Sequence, residues 1–197
     1  MIPETEVFSD LIGAIYDTTL DRDLWPDVLR KSAEFVGGSA ATIFSKNPTV
    51  GNGSIFYEFG TDPHYRQLYF DKYVKLDPAT TGHYFADIGQ PIATADLLPY
   101  GEFLETRFYK EWAHPQGLVD FVSAVLDKSV TSAAMFGVFR HERDGIVDEE
   151  TRGRNAAHHS AHSPGGADWQ RAGLQHVGGD GIRRCVEWPR CRCLSRR

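Results

Sequence analysis

The 197-residue sequence has no run of about 18 apolar residues, the minimum that a membrane-spanning helix requires. Its first ten residues, MIPETEVFSD, are acidic and lack the basic start and apolar stretch of a signal peptide. These absences predict a cytoplasmic protein with no membrane partner. The length allows one domain, or one domain with an appendage. A content of 41% hydrophobic and 12% aromatic residues is sufficient for a packed core.

Short motifs that carry catalysis are also missing. The sequence contains no G-x-S-x-G, G-x-x-x-x-G-K-[ST], H-E-x-x-H or G-x-G-x-x-G, which argues against the common hydrolase, nucleotide-binding and zinc-protease sites. The first 151 residues contain four histidines without metal-ligand spacing: His64, His83, His114 and His141. We therefore expect no catalytic site, cofactor or metal in this part.

Composition changes abruptly near Arg152. Residues 1–151 have a net charge of −12 and contain every Phe, Tyr, Lys and Met of the chain. Residues 152–197 have a net charge of +6 and contain all three cysteines. This change predicts a domain over 1–151 and a separate segment over 152–197.

Periodicity in the first part predicts ten elements. Helical spacing of apolar residues occurs in VFSDLIGAIYDTTLD, DLWPDVLRKSAEFVGG, DPHYRQLYFDKYVKLDP and PYGEFLETRFYKEWAHPQG. Strand-like runs are SAATIFSK, SIFYEFG, PIATADL, LVDFVSAVLDK and TSAAMFGVFRHER. Asp62 and Pro63 suit a helix start, Asp77-Pro78 predicts its end, and Asp148 could cap a last helix at VDEET.

The predicted order is α-α-β-β-α-β-α-β-β-α. Hairpins at both ends favour a mostly antiparallel sheet, and helices must cover its faces. The fold class is therefore α+β, an antiparallel sheet flanked by helices, and such domains often enclose a small-molecule pocket.

Three stretches resemble the N-terminal half of LuxR-type transcriptional regulators with a PAS- or GAF-like sensor: residues 11–41, 65–78 and 105–145. The resemblance covers about residues 8–152. It implies a GAF/PAS-like or autoinducer-binding-like fold, a small-molecule effector and a homodimer. In such regulators a C-terminal helix-turn-helix domain reads DNA, and we expect that domain to be missing from this chain.

The stretch YRQLYFDKYVKLDP is similar to the motif that lines the acyl-homoserine-lactone pocket in the quorum-sensing branch. There an aspartate before proline accepts a hydrogen bond from the ligand amide, which would be Asp77 here. Tyr65 occupies the place of a Trp, and the spacing to Asp77 is about one residue shorter. The resemblance and the aromatic pattern together give these candidate ligand-binding residues: Tyr57, Tyr65, Tyr69, Tyr73, Asp77 and Trp112.

Alternatives remain open from the residues themselves. Tyrosines at helical spacing commonly pack with the hydroxyl at the rim, an Asp before Pro is commonly a cap, and Trp112 could belong to the core. The whole domain could instead be a stand-alone enzyme, with Asp77, His83 and Tyr57 converging, or a dimerisation domain that senses nothing.

The second segment, 152–197, has four interpretations. Its cysteines and histidines could bind zinc, but the C-x5-C-x-C spacing lacks the usual C-x2-C. A disulfide is disfavoured in the cytoplasm. Nine arginines with Trp169 and Trp188 could bind nucleic acid. The fourth interpretation is a non-native sequence produced by a shifted reading frame.

Codon choice permits the shifted frame. The stretch NAAHHSAHSPGGADW can be encoded so that a one-base shift gives MRLIIPHIRRAVLIG, an amphipathic helix. The closing EWPRCRCLSRR permits NGLAAAVFLV. Only five Leu, Val or Ile residues occur in 152–197, too few to offset chain entropy, so we expect a disordered, frameshifted tail.

Overall fold

The computed structural model describes residues 4–47, 52–130, 132–148, 151 and 154. At its centre is one antiparallel sheet of five strands in the order β2-β1-β5-β4-β3. The strands are β1 (Ala40–Asn47), β2 (Asn52–Phe59), β3 (Pro91–Ala93), β4 (Leu118–Lys128) and β5 (Ala133–His141). The predicted α+β class and the two antiparallel hairpins are confirmed.

Helices cover both faces of the sheet. The α-helices of the described residues are α1 (Glu4–Asp17), α2 (Trp25–Val36), α3 (Pro63–Leu68), α4 (Pro78–Phe85), α5 (Thr94–Leu97) and α6 (Tyr100–Glu105). Two single π turns, Tyr69–Tyr73 and Tyr109–Ala113, continue the helical layer. No helix among the described residues is both long enough and apolar enough to cross a membrane.

The alternation of side chains along β1 separates the two faces of the sheet. Ala41 and Ile43 point to α1 and α2 and join the core there, with Trp25 at 1% exposure. Thr42 and Phe44 point to the opposite face. Successive side chains of a strand alternate between faces, so this pattern fixes which residues can form a site on the second face.

Helix α2 begins and ends as its sequence predicts. Pro26 lies in the first turn, where its missing N–H costs nothing. Gly37 closes the helix with φ 85°, a left-handed conformation that side chains rarely adopt, and its N–H bonds to Ala33. The chain then turns directly into β1.

An aromatic layer covers the second face. Tyr69, Phe108 and Trp112 pack together there, with ring centroids of Phe108 and Trp112 5.0 Å apart. This aromatic layer lies over the second face of the sheet.

Asp62 caps α3 as predicted, since its carboxylate accepts a hydrogen bond from the N–H of His64 at 2.7 Å.

Three elements differ from the prediction. The helix predicted over PYGEFLETRFYKEWAHPQG is interrupted, since α6 ends at Glu105 and Thr106 is extended with ψ 150°. Asp77-Pro78 does end one helix, but it also begins α4, because Asp77 accepts from the N–H of Ala79 at 2.8 Å and Pro78 fits a first turn. The strand PIATADL is short. It ends at Ala93, where the Asp96 carboxylate accepts from the Ala93 N–H at 2.8 Å and starts α5.

A buried arginine holds the chain that follows β5. Arg140 donates to the carbonyl of Gly145 at 2.8 Å, to the hydroxyl of Thr151 at 2.9 Å, and to the carbonyl of Asp144. Asp148 accepts from the N–H of Thr151 at 2.8 Å, the bond expected of the predicted cap. The predictions for 152–197, including the zinc site and the shifted frame, fall on residues outside the described ranges, Arg154 excepted.

Two glycine substitutions test the packing of α2 on the sheet. A Cβ at Gly38 would lie 2.3 Å from Cγ1 of Val138 and 2.6 Å from the carbonyl oxygen of Phe139. We expect Gly38→Ala to lower the free energy of unfolding by about 1–3 kcal/mol through overpacking. The matched control is Gly13→Ala, in the exposed part of α1 with nothing within 4 Å of the new Cβ, and it should stabilise by up to about 1 kcal/mol. Urea denaturation measures both, and equal effects would contradict this packing.

Candidate functional site

A cavity of about 420 Å³ lies between the sheet and the aromatic layer. Its volume falls in the range of small-molecule sites. Most of its wall is apolar, and the principal apolar residues are Phe44, Ile55, Phe108, Trp112, Phe121 and Phe139. An apolar ligand body would therefore be desolvated on both sides.

Small residues on the sheet create this space. Thr42, Gly137 and Ser123 are register partners across the three central strands, and all three line the cavity. A Cβ at Gly137 would lie 3.3 Å from Cε1 of Phe44, so the absent side chain leaves room beside that ring. The sheet surface that forms the floor of the cavity therefore has small side chains at its centre and large aromatic rings around them.

A buried polar cluster occupies one part of the wall. Lys46 and Asp77 form an ion pair, with side chains only 3% and 7% exposed. Tyr69 donates from its hydroxyl to the same Asp77 oxygen at 2.6 Å, and Lys46 also donates to Thr80 Oγ1 at 3.3 Å. The second Asp77 oxygen accepts the α4 capping bond from Ala79. Both oxygens of this carboxylate are therefore engaged within the fold.

Local structure explains how these groups meet. Lys46 follows Thr42 and Phe44 at alternating positions of β1, so it points to the same face. Asp77 is fixed by its role as the cap of α4, and Tyr69 begins the first π turn. Strand β1 thus meets the π turn and α4, which lie next to each other later in the chain, at one carboxylate.

The charges of the pair are coupled. Burial lowers the pKa of the Lys46 ammonium, and the charge of Asp77 opposes that change. Burial also works to raise the pKa of Asp77, but the charge and hydrogen bond of Lys46, with the bond from Tyr69, hold that pKa below its ordinary value. Burial and the nearby Asp77 raise the pKa of Tyr69 far above its usual value, so its phenol is a neutral donor.

A neutral histidine lies beside this pair. The ring Nε2 of His83 is 2.7 Å from the hydroxyl of Ser123, and both residues line the cavity. Burial, reinforced by the charge of Lys46, lowers the pKa of His83 to about 3. Its Nδ1 has no hydrogen-bond partner among the described residues. The ring is therefore uncharged at neutral pH.

The structure brings together four of the six predicted ligand-binding residues. Tyr65, Tyr69, Asp77 and Trp112 line the cavity. The indole Nε1 of Trp112 donates to the backbone carbonyl of Tyr65 at 2.8 Å, so the Trp112 ring presents an apolar surface. Their role in binding stays a prediction.

The other two predicted residues lie elsewhere. Tyr57 stacks on Trp25, with ring centroids 5.0 Å apart, in the core on the opposite face of the sheet. Tyr73 is buried in the aromatic layer and donates from its hydroxyl to Glu111 at 2.7 Å. Neither is among the described residues that line the cavity.

Sequence reasoning did not identify Lys46, and it did not assign His83 or Ser123 to the ligand site. The one available signal for Lys46 was its place in the alternating pattern of β1, which put a charged residue on an otherwise inward face. Among the described residues, no group of three or more His, Cys, Asp or Glu could hold a metal ion.

Solved structures that share this fold include the following two. The LBD domain of VqsR from Pseudomonas aeruginosa superposes with a TM-score of 0.58 at 14% identity, over 80% of this chain and 94% of that one. CepR2 from Burkholderia cenocepacia, described as an N-acylhomoserine lactone dependent LuxR family transcription factor, gives 0.60 at 13% identity, over 81% and 93%. At these identities the similarity establishes the fold alone. No protein-family model and no curated protein matches the sequence.

Removing one partner of the buried Lys46–Asp77 pair should destabilise the fold. We expect Lys46→Met to lower the free energy of unfolding by about 3–5 kcal/mol, because it leaves the Asp77 carboxylate buried without its cation. Adding Asp77→Asn should recover much of the loss, since both charges are then gone and the amide oxygen can still cap α4. Urea denaturation of both variants measures this, with the exposed Lys110→Met as control. A double variant as unstable as Lys46→Met would contradict the pairing.

His83 should make stability depend on pH. Its pKa is about 3 in the folded chain and about 6.5 when unfolded, so the unfolded chain binds the extra proton between these values. The free energy of unfolding is then nearly constant above about pH 7 and falls by about 2 kcal/mol between pH 7 and pH 5. His83→Gln, which can still bond to Ser123, should reduce that fall, whereas exposed His64→Gln should not. Urea denaturation at pH 7 and pH 5 measures the free energy of unfolding of the wild type and both variants. An equal fall between the two pH values in all three proteins would refute the assignment.

Proposed function

We propose that residues 1–151 form a sensor domain that binds a small, partly apolar ligand, and that this domain belongs to a LuxR-type transcriptional regulator. The observation that carries the proposal is the 420 Å³ cavity with an aromatic wall and one buried polar cluster. A mostly apolar pocket with a few fixed polar groups is typical of small-molecule sites. The shared fold with VqsR and CepR2 supports the same assignment.

Binding fits this site better than catalysis does. The Asp77 carboxylate already accepts bonds from Lys46, Tyr69 and Ala79, so it is poorly placed to take a proton from a substrate. The catalytic alternative required Tyr57 to join Asp77 and His83. Tyr57 instead packs on Trp25 across the sheet, which speaks against that alternative.

The size of the cavity also favours a sensor over a domain that only dimerises. A non-sensing core would be expected to collapse onto the sheet, because unfilled space forfeits packing contacts. Here Thr42, Gly137 and Ser123 keep the floor open at its centre.

Ligand binding would alter the balance between states of the domain. Phe139 and His141 line the cavity, and the residue between them, Arg140, holds the chain from Asp144 to Thr151. A change in the cavity could therefore reach the segment that leaves the domain. In the proposed regulator this would act on DNA through a separate DNA-binding domain, as a homodimer on two half-sites.

Filling the cavity should abolish ligand binding. Wild-type protein screened by thermal shift against acyl-lactones and aromatic acids should be stabilised by at least one compound, by about 2.7 kcal/mol at a hundredfold excess over Kd. Thr42→Phe places a ring on the low floor and should remove that stabilisation. The control Thr19→Phe, exposed beyond α1, should respond as wild type does. Flat melting curves of the wild type across a broad library would count against a sensor.

A further inference from the structure

The polar end of the cavity is electrically balanced before any ligand enters. The buried ammonium of Lys46 is matched by the buried carboxylate of Asp77, and Tyr69 and Thr80 complete the cluster without adding charge. His83, the next titratable group along the wall, is neutral. Arg66 is occupied by its ion pair with Glu58. A ligand reaching this end would therefore meet no unpaired charge among these groups.

We propose that the cavity selects a neutral ligand whose carbonyl or similar oxygen accepts a hydrogen bond from the Lys46 ammonium, with Asp77 serving as the fixed counter-ion of Lys46. This inference rests on the proposed sensor function and specifies its ligand class. It differs from the role that the sequence resemblance implies for Asp77, in which the carboxylate itself accepts from a ligand amide.

Hydrogen-bond capacity supports this division of roles. An ammonium has three donors, and in Lys46 two of them go to Asp77 and Thr80, with no further partner among the described residues. Its nitrogen lies 5.4 Å from the ring centroids of both Phe44 and Tyr69, which line the cavity. One donor therefore remains for an acceptor on the ligand, at the border between the polar cluster and the aromatic wall.

Charge balance supports the neutrality of the ligand. A carboxylate placed at Lys46 would make two buried anions share one cation, and an ammonium would compete with Lys46 for Asp77. Either arrangement leaves an uncompensated buried charge, which is strongly unfavourable. A carbonyl oxygen satisfies the free donor without changing the net charge.

Four probes with one naphthalene body separate these possibilities. They are 2-acetylnaphthalene, its alkene isostere 2-isopropenylnaphthalene, 2-naphthoate and 1-(2-naphthyl)ethylammonium. Isothermal titration on the wild-type chain should show the ketone binding about 10-fold tighter than the alkene, as a hydrogen bond to a charged donor predicts. The carboxylate and the ammonium should each bind at least about 10-fold more weakly than the ketone.

Variants at the pair should change the preference in a defined direction. Lys46→Met removes the ammonium while keeping an apolar stem, so the ketone should lose its advantage over the alkene and the ammonium probe should become the tightest ligand, taking the place of the lost cation. If Lys46→Met alone does not fold, Lys46→Met with Asp77→Asn supplies the neutral version. In this double variant the ketone and the alkene should bind with equal affinity. The ammonium probe should bind no more tightly than it binds the wild type. Lys110→Met should behave as wild type.

The outcomes distinguish this inference from the function on which it rests. Binding of the alkene and ketone with equal affinity, or a preference for the carboxylate, would overturn the ligand class while leaving a ligand-binding cavity in place. Failure of all four probes to bind the folded wild type would overturn the sensor function and the ligand class together. The expected order in the wild type would establish both, provided that in Lys46→Met the ketone loses its advantage over the alkene and the ammonium probe binds most tightly.

Discussion

The ion pair between Lys46 and Asp77 is the constraint around which the second face of this domain is arranged. A lysine at the end of a strand is stable in a dry position only if a carboxylate meets it there. Asp77 meets it because the same carboxylate caps α4, which fixes its position. The charge and hydrogen bond of Lys46, with the bond from Tyr69, hold the pKa of Asp77 below its ordinary value against the effect of burial. Tyr69 then adds the phenol bond that ties the aromatic layer to the pair. The Asp77 carboxylate therefore joins the sheet, through Lys46, to the aromatic layer, through Tyr69, and to α4.

The cavity itself has a different origin from the pair. It exists because Thr42, Gly137 and Ser123 align across three strands, leaving a low floor that the rings of Phe44, Phe121 and Phe139 surround. A polar cluster with no space beside it would be only a structural contact, and space without the cluster would be only an apolar void. Their adjacency is what makes this cavity a candidate site for a ligand with both apolar and polar parts.

Much of the fold could be predicted from local chemistry, because the spacing of apolar residues and the capping of helix ends depend on a few neighbouring residues. The alternating strands, the Asp62 cap and the Gly37 stop are of this kind. Helix α4 was missed because Asp-Pro ends one helix and begins the next with the same two residues. The strand PIATADL was predicted too long because the Asp96 carboxylate, three residues after Ala93, starts a helix inside an apparently strand-like run.

The site was less predictable, because it depends on contacts between distant residues. Tyr69 and Asp77 could be selected from one helical stretch, but the partner of Asp77 lies 31 residues earlier in the chain. A lysine just before a turn ordinarily faces water, and only its alternation with Thr42 and Phe44 along β1 indicates otherwise. Tyr57 was predicted at the site but lies on the other face of the sheet. A one-residue bulge in the β1–β2 pairing lies beside it, so the alternation of side chains along the strand does not by itself decide its face.

Both π turns carry cavity residues, Tyr69 and Phe70 in one and Trp112 in the other. Each π turn holds one residue more than an α turn. Because the extra residue is accommodated within the turn, its loss would restore an ordinary α turn and shift the cavity residues that the turn carries. Single-codon deletions at these turns would therefore change the shape of the cavity wall without altering the sheet.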